Sequence, residues 1–246
     1  MPTLKIVMAQ VNPLVGDIQG NTELVIEMVR QAEAEHGADI VVFPELTLTG
    51  YPPEDLLLRD SLKIRIDRAL NDIQSASLQA AVVVGYPRKV AGCVFNMAGV
   101  IDGGQLVTEY AKQHLPNFRV FDEKRYFVPG DSACTLRIRG IKVALTICED
   151  IWQYEPMHQA QQAGAQLMLN LNASPFHINK TAERRELLHE RAREGGMPIV
   201  YVNQVGGQDE LVFDGGSMVV NAAGDLCVQA PCYETSLLAV EFSLED

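Results

Sequence analysis

Ile141-Lys142-Val143-Ala144-Leu145-Thr146-Ile147-Cys148-Glu149-Asp150-Ile151-Trp152 is the stretch on which the fold of this chain turns. Its first seven residues, mostly β-branched and aliphatic, have the pattern of a buried strand. The strand pattern stops at Cys148, and two carboxylates and a tryptophan follow. A thiol held rigidly at the end of a core strand, with the N–H groups of the next turn facing whatever it attacks, is well placed to be a nucleophile. The ordinary alternative is a buried cysteine acting as a small hydrophobe. The rest of the chain has to decide between the two.

Upstream, residues 4–10 read as a strand buried on both faces, followed by turn signals at Asn12-Pro13 and Gly16-Asp17. A helix is expected over about 21–35, where Leu24, Val25, Met28, Val29 and Ala32 share one face and Gly37 stands at the stop. Residues 39–43 form a second core strand, closed by Pro44-Glu45. A loop with Gly50-Tyr51-Pro52-Pro53 then enters a second helix over about 56–73. Residues 80–85 are a third strand, and 94–101 with 106–111 make a hairpin through Asp102-Gly103-Gly104. No period is visible from Lys112 to Asp131, and long loops inside compact domains tend to be functional.

Residues 136–138 pair with the Cys148 strand across Arg139-Gly140. A helix over about 156–164, a strand over 166–171, the loop Asn172-Ala173-Ser174-Pro175-Phe176 and a charged helix over 181–194 follow. Strands at 199–203, 217–221 and 237–242 complete the pattern, with a turn at Ala223-Gly224-Asp225. Neither a low-complexity linker nor a break in composition occurs, so one domain over residues 1–246 is expected. Strand–helix alternation mixed with hairpins predicts an α/β fold with mixed sheets. Two such sheets stacked face to face, with helices outside, would bury every strand.

Composition narrows the function classes. Hydrophobic residues make up 47% of the chain, and no apolar run approaches the ~20 residues of a membrane span. The N-terminus runs straight into a strand pattern without a signal-peptide layout. The five cysteines are scattered, with no CxxC pair and no Cys/His ligand spacing, which points to neither a disulfide framework nor a metal site. A reducing cytoplasm is the expected setting. The net charge of −12 argues against a nucleic-acid or anionic-membrane partner.

Glu45, Lys112 and Cys148 each fall at or just beyond a strand end, where functional residues gather in sheets of this type. Their chemistry is complementary. A carboxylate can take the thiol proton and later hand it to a leaving amine. An ammonium and the N–H after Cys148 can stabilise an oxyanion. Lys112 and the turn N–H groups favour the thiolate while Glu45 and Glu149 oppose it, so a modest depression of the Cys148 pKa is expected. Taken singly, Glu45 and Lys112 read more readily as solvated charges than as catalytic groups.

Phe43-Pro44-Glu45-Leu46 with Gly50-Tyr51, Lys112-Gln113-His114-Leu115-Pro116, and Thr146-Ile147-Cys148-Glu149-Asp150 with Trp152 together resemble the nitrilase (carbon–nitrogen hydrolase) superfamily. Within it, Lys112 to Phe118, Phe121 to Phe127, the Cys148–Trp152 block and Asn172 to Phe176 are most similar to the glutaminase domains of glutamine-dependent NAD+ synthetases. The resemblance implies a four-layer α-β-β-α sandwich and a Glu45, Lys112, Cys148 triad that hydrolyses an amide through a thioester, without metal or organic cofactor. It implies a further glutamate at Glu123, contacting Lys112 or substrate, although the run Asp122-Glu123-Lys124-Arg125 reads equally as a solvated surface. Glutamine recognition would fall to Phe118, Glu149, Trp152, Ser174 and Lys180. Lys180 suits the substrate carboxylate, Glu149 its ammonium, and the aromatics its methylenes. The ordinary readings are core packing for Trp152 and a loop hydroxyl for Ser174.

Two departures stand out. The subfamily usually has glycine before the basic residue that Lys180 matches, and here Asn179, which also tolerates positive φ, stands in its place. The Ser-Gly-Gly-x-Asp-Ser loop of the ATP-dependent synthetase half does not occur, and Gly215-Gly216-Ser217 lacks its aspartate. The expected partners are therefore glutamine and a C-terminal synthetase domain that carries ATP and magnesium, with a homo-oligomer as the expected assembly. Two rivals remain: a free-standing amidase for another small carboxamide, and a non-catalytic scaffold or sensor of the same fold.

Overall fold

The computed structural model describes residues 3–243. Strand β1 (Thr3–Gln10) leads to α1 (Ile18–His36), β2 (Ile40–Val42) to α2 (Asp60–Ser75), and β3 (Ala81–Val90), β4 (Cys93–Asp102) and β5 (Gln105–Ala111) run as a meander. The second half repeats the scheme. β6 (Cys134–Ile138) and β7 (Ile141–Ile147) form a hairpin, then come α3 (Tyr154–Gln162), β8 (Leu167–Asn172), α4 (Lys180–Gly195) and β9 (Ile199–Asn203). A small hairpin of β10 (Val205–Gln208) and β11 (Leu211–Asp214) precedes β12 (Met218–Val220), β13 (Leu226–Gln229) and β14 (Ser236–Ser243).

Successive strand residues face opposite sides, so a strand apolar at every position has to be covered on both faces. In β2 and β3, Val41 and Val82 face the helices, where Val25 and Val29 of α1 and Ile66 and Leu70 of α2 cover them. Val42 and Val83, one residue on, face inward with Ile6 and meet Val143, Leu145, Leu169 and Val200 of the other sheet. Ala144 and Met168, of opposite parity in β7 and β8, receive Met157 of α3 and Leu188 of α4 on the far side. The result is helices, sheet, sheet, helices. Each fully buried aliphatic side chain contributes roughly 1.5–3 kcal/mol to this packing.

The two six-stranded sheets run β14-β1-β2-β3-β4-β5 and β6-β7-β8-β9-β12-β13. Read in those directions both have the same sense: antiparallel, parallel, parallel, antiparallel, antiparallel. The central parallel strands of both therefore deliver their C-terminal ends, and the loops after them, to the site described below.

Several boundaries differ from the sequence reading. Helix α1 starts at Ile18 because Asp17 caps it, its carboxylate accepting the Gly20 N–H at 3.1 Å. Strands β10, β11 and β13 have four residues each and had not been expected; unlike β2 and β12, which are shorter but buried at every position, each includes exposed or half-buried residues and lacks the apolar run of a core strand. Gly103 and Gly104 sit at φ 57° and 74°, as the two-residue turn between β4 and β5 requires. Within the irregular segment from Lys112 to Asp131, a single 3-10 turn, Glu123–Arg125, is formed. No helix among the described residues is long and apolar enough to cross a membrane.

Candidate active site

Glu45 follows β2, Lys112 follows β5 directly, and Cys148 follows β7 directly. The ends of one sheet bring the first two together, and the facing sheet supplies the third. Lys112 Nζ donates to Glu45 Oε1 at 2.7 Å and to both oxygens of Glu123, at 2.9 and 2.8 Å. The side chains of Lys112 and Glu45 are 0% exposed. Glu45 is gripped from three directions, since Asn96 Nδ2 also donates to Oε1 at 2.7 Å and the Ala173 N–H to Oε2 at 3.1 Å. Its loop lies hard against β3. A Cβ on Gly85 would meet the Leu46 nitrogen at 2.4 Å, so only glycine admits this approach.

Glu123 is buried although its neighbours Asp122 and Arg125 are exposed. The 3-10 turn points this one side chain of the charged run inward, where Tyr51 Oη donates to Glu123 Oε1 at 2.9 Å. Tyr51 belongs to the Glu45 motif in the sequence, but its bond to Glu123 is tertiary, and Asn96 carries no sequence signal that ties it to the cluster. Two carboxylates thus share one ammonium in a dry site. Burial, opposed by Lys112 and reinforced by Glu45, pushes the Glu123 carboxyl up to about 7. Burial works against the Lys112 charge, but Glu123 and Glu45 outweigh it and hold the ammonium well above the usual lysine range.

Cys148 sits in the left-handed region at φ 44°, where β7 breaks into the 3-10 turn Cys148–Trp152. A non-glycine residue in that conformation is held by its surroundings, and such positions cluster at functional sites. The expected modest pKa depression is not what the structure gives. Burial first, then the field of Glu45, push the thiol well above the ordinary cysteine range. Lys112 opposes this, while Glu123 and Glu149 add to it. The correction follows from burial, which a one-dimensional reading could not weigh against the lysine.

Cys148 also forms part of the wall of a pocket of about 460 Å³. Phe118, Glu149, Trp152, Ser174 and Lys180 line the same pocket, so the structure brings five of the six candidate binding residues together around the thiol. Glu123 is not among its lining residues and lies behind Lys112 instead. Lys180 Nζ stands 4.0 Å above the Trp152 ring and 3.4 Å from Glu183. Asn179 takes φ 72° just before it, the left-handed conformation for which glycine would be the usual choice. Glu149 is half-buried, and burial raises its pKa against the pull of Lys112 and Lys180. Phe118 is 51% exposed and packs edge-on to Phe121 at the pocket wall.

The Ser174 hydroxyl is already engaged, because Arg184 donates to it from Nε at 3.3 Å and from Nη2 at 3.2 Å. Arg184 is itself buried and paired with both oxygens of Asp214 at 2.8 and 2.9 Å. That ion pair fixes the Ser174 loop from behind, and sequence reasoning passed over it. A buried arginine in a charged helix looks like any solvated one until its partner, 30 residues on, is known. Among the described residues no group of three or more His, Cys, Asp or Glu side chains could hold a metal ion. A thiol, a buried carboxylate and a buried ammonium beside a pocket with both signs of charge form a set capable of acyl transfer.

The chain is 45% identical over 241 residues to the glutamine-dependent NAD(+) synthetase of Xylella fastidiosa, covering 97% of this chain and 44% of that protein. The chain thus spans less than half the length of such relatives. The glutamine-dependent NAD+ synthetase of Acinetobacter baumannii, solved with adenosine diphosphate, superposes with a TM-score of 0.95 at 40% identity, over 98% of this chain and 46% of its own. A variant of the amidase from Nesterenkonia sp. AN1, bearing the acetamide moiety of fluoroacetamide on its active-site cysteine, superposes with a TM-score of 0.89 at 29% identity, over 99% of this chain and 91% of its own. The family description "Carbon-nitrogen hydrolase" matches residues 5–246, almost the whole length over which these sheets and their strand ends are built. The chain therefore belongs to the carbon–nitrogen hydrolase family.

Proposed function

We propose that this chain hydrolyses the side-chain amide of glutamine through a thioester on Cys148. The observation that carries the reading is a pocket holding Cys148, Lys180 and Glu149 on one wall system, with the Glu45–Lys112 pair buried beside the thiol. Free glutamine presents a carboxylate and an ammonium, and the pocket offers one charge of each opposite sign, Lys180 and Glu149. Trp152 and Phe118 flank the methylenes. A simple aliphatic amide has no use for either charge.

In this mechanism Glu45 takes the Sγ proton as sulfur attacks the amide carbon, and the C=O electron pair moves onto oxygen. Lys112 Nζ and the Glu149 N–H support that oxyanion. Collapse breaks the C–N bond. Ammonia leaves with the proton from Glu45, and the glutamyl thioester remains on Cys148. Glu45 then takes a proton from water, whose oxygen attacks the thioester. Glutamate leaves and the proton returns to sulfur. The high thiol pKa fits this scheme, because deprotonation coincides with attack and no thiolate has to wait in a dry, anionic cluster.

The similarity to glutamine-dependent NAD(+) synthetases extends the reading. The released ammonia would amidate an adenylylated nicotinate dinucleotide on a synthetase unit that uses ATP and magnesium, in a reducing cytoplasm where Cys148 stays a thiol. Residues 1–246, given glutamine, release glutamate and ammonia; given ATP, magnesium, nicotinate adenine dinucleotide and ammonia, they form no NAD+. A panel of glutamine, asparagine and short aliphatic amides decides the substrate. A preference for butyramide or acetamide over glutamine would replace this reading by that of a small-carboxamide amidase, and NAD+ formation by the chain alone would overturn the division of labour.

A further inference from the structure

The carboxylate of Asp150 takes no part in the scheme above, yet it is fully buried and accepts four hydrogen bonds from two different sheets' strand ends. Oδ1 accepts the N–H groups of Gln113 at 3.1 Å and His114 at 2.8 Å, the two residues directly after Lys112. Oδ2 accepts the Ile147 N–H at 2.9 Å, directly before Cys148, and the Tyr110 hydroxyl at 2.8 Å, two residues before Lys112. One side chain therefore brackets both Lys112 and Cys148.

Lys112 stands at the end of β5 in one sheet and Cys148 at the end of β7 in the other. The two sheets meet through apolar side chains, which set a spacing but not a register along the strands. Hydrogen bonds are directional, and this carboxylate supplies them across the gap. It also closes the turn in which Cys148 takes φ 44°, by bonding back to the residue before it. We propose that Asp150 is a positioning residue that sets the place of the Lys112 ammonium relative to the Cys148 sulfur, so that ammonium and nucleophile address one carbonyl. A shift of about 1 Å between such groups can cost on the order of 100-fold in rate.

The inference rests on the reading of Cys148 as nucleophile and glutamine as substrate, so its test has one arm that needs no substrate. The variants are Asp150→Asn, which keeps the shape but offers one acceptor oxygen where two are used, and Tyr110→Phe, which deletes one of the four donors. Asp150→Glu keeps the charge but moves it by one methylene. For glutamine hydrolysis, Asp150→Asn is expected to lower kcat about tenfold or more and to raise KM by a smaller factor, because Lys180, Ser174 and Phe118 lie outside the turn that Asp150 closes while Glu149 and Trp152 belong to it. Asp150→Glu is expected to lose kcat as Asp150→Asn does. Wild-type kcat in the glutamate variant would show that only the charge matters and would sink the positioning role.

The substrate-free arm follows labelling by iodoacetamide with peptide mass spectrometry, comparing Cys148 with the half-buried Cys134 on β6 in the same molecules. A loosened turn admits water to Cys148 and speeds its labelling relative to Cys134, whereas general destabilisation speeds both together. If Asp150→Asn does not fold, Tyr110→Phe carries both arms, with a smaller change in the same directions. Wild-type kcat and a wild-type Cys148 to Cys134 labelling ratio in the folded variants would overturn the proposal. If the wild-type chain does not hydrolyse glutamine, the substrate reading fails by itself and the labelling ratio still decides the role of Asp150.

Discussion

Lys112 Nζ and Glu45 Oε1 lie 2.7 Å apart with both side chains out of contact with solvent, although 67 residues separate them in the chain. The contact has a second carboxylate on its other side, Glu123, so the buried cluster carries one more negative than positive group. A cluster so balanced has room for one extra proton, which is what a general base beside a nucleophilic thiol has to accept. The pair also bears on the thiol. Burial is the main reason the thiol holds its proton, and the carboxylates on Lys112 cancel much of the field with which the lysine would stabilise a thiolate.

Replacing Glu45 by glutamine separates two effects that usually move together. Glu45→Gln removes the proposed base, and turnover of glutamine is expected to fall by roughly 100-fold or more. The same change removes a negative field that helps hold the Cys148 pKa up, so labelling of Cys148 by iodoacetamide at neutral pH should quicken. Slower labelling together with lost turnover would mean that proton transfer to Glu45, rather than its field on the thiol, governs the reactivity of Cys148.

Cys148→Ala is expected to abolish glutamate release while the protein stays folded. Removing one sulfur atom from a buried position costs about 1 kcal/mol, within the range of ordinary substitutions. Circular dichroism and thermal unfolding check the fold, and glutamate release checks the chemistry. Turnover retained in a folded variant would remove Cys148 from the mechanism.

The raised Glu123 pKa makes a pH prediction with a definite sign. Between its ordinary value of 4.5 and about 7 the folded chain keeps a proton that the unfolded chain has lost. Stability contributed by this group is therefore complete below about 4.5 and drains away as pH rises through about 7. Glu123→Gln has no such proton to lose, so its melting temperature should fall less steeply than wild type across that window. Parallel melting curves in the two proteins would place the titration elsewhere.

Lys180→Ala should raise KM for glutamine far more than it lowers kcat. A charge-assisted contact to the substrate carboxylate is worth ~1.5–3 kcal/mol, about one to two decades in affinity. Lys180 lies on the Trp152 face of the pocket and does not touch the Glu45–Lys112 cluster, so labelling of Cys148 by small reagents should be unchanged. An unaltered KM would show that another residue holds the carboxylate.

What could be read in one dimension was local. The apolar runs at residues 4–10, 39–43 and 141–147 mark core strands because a strand covered on both faces admits few polar residues, and the motifs at Glu45 and Cys148 are visible because each sits where such a run stops. Asn179 before Lys180 was legible for a similar reason, since a left-handed residue depends on its own backbone. The short strands β10, β11 and β13 escaped because, being partly exposed, they do not carry the apolar run of a core strand. Only the tertiary structure chose, for Glu123, the contact with Lys112 over the solvated reading, engaged the Ser174 hydroxyl with Arg184, and placed Asp150 across two sheet ends. It also reversed the expected sign of the Cys148 pKa shift. Burial and electric field belong to groups brought close from distant parts of the chain, and their strength depends on the exclusion of water, which no single stretch of residues determines.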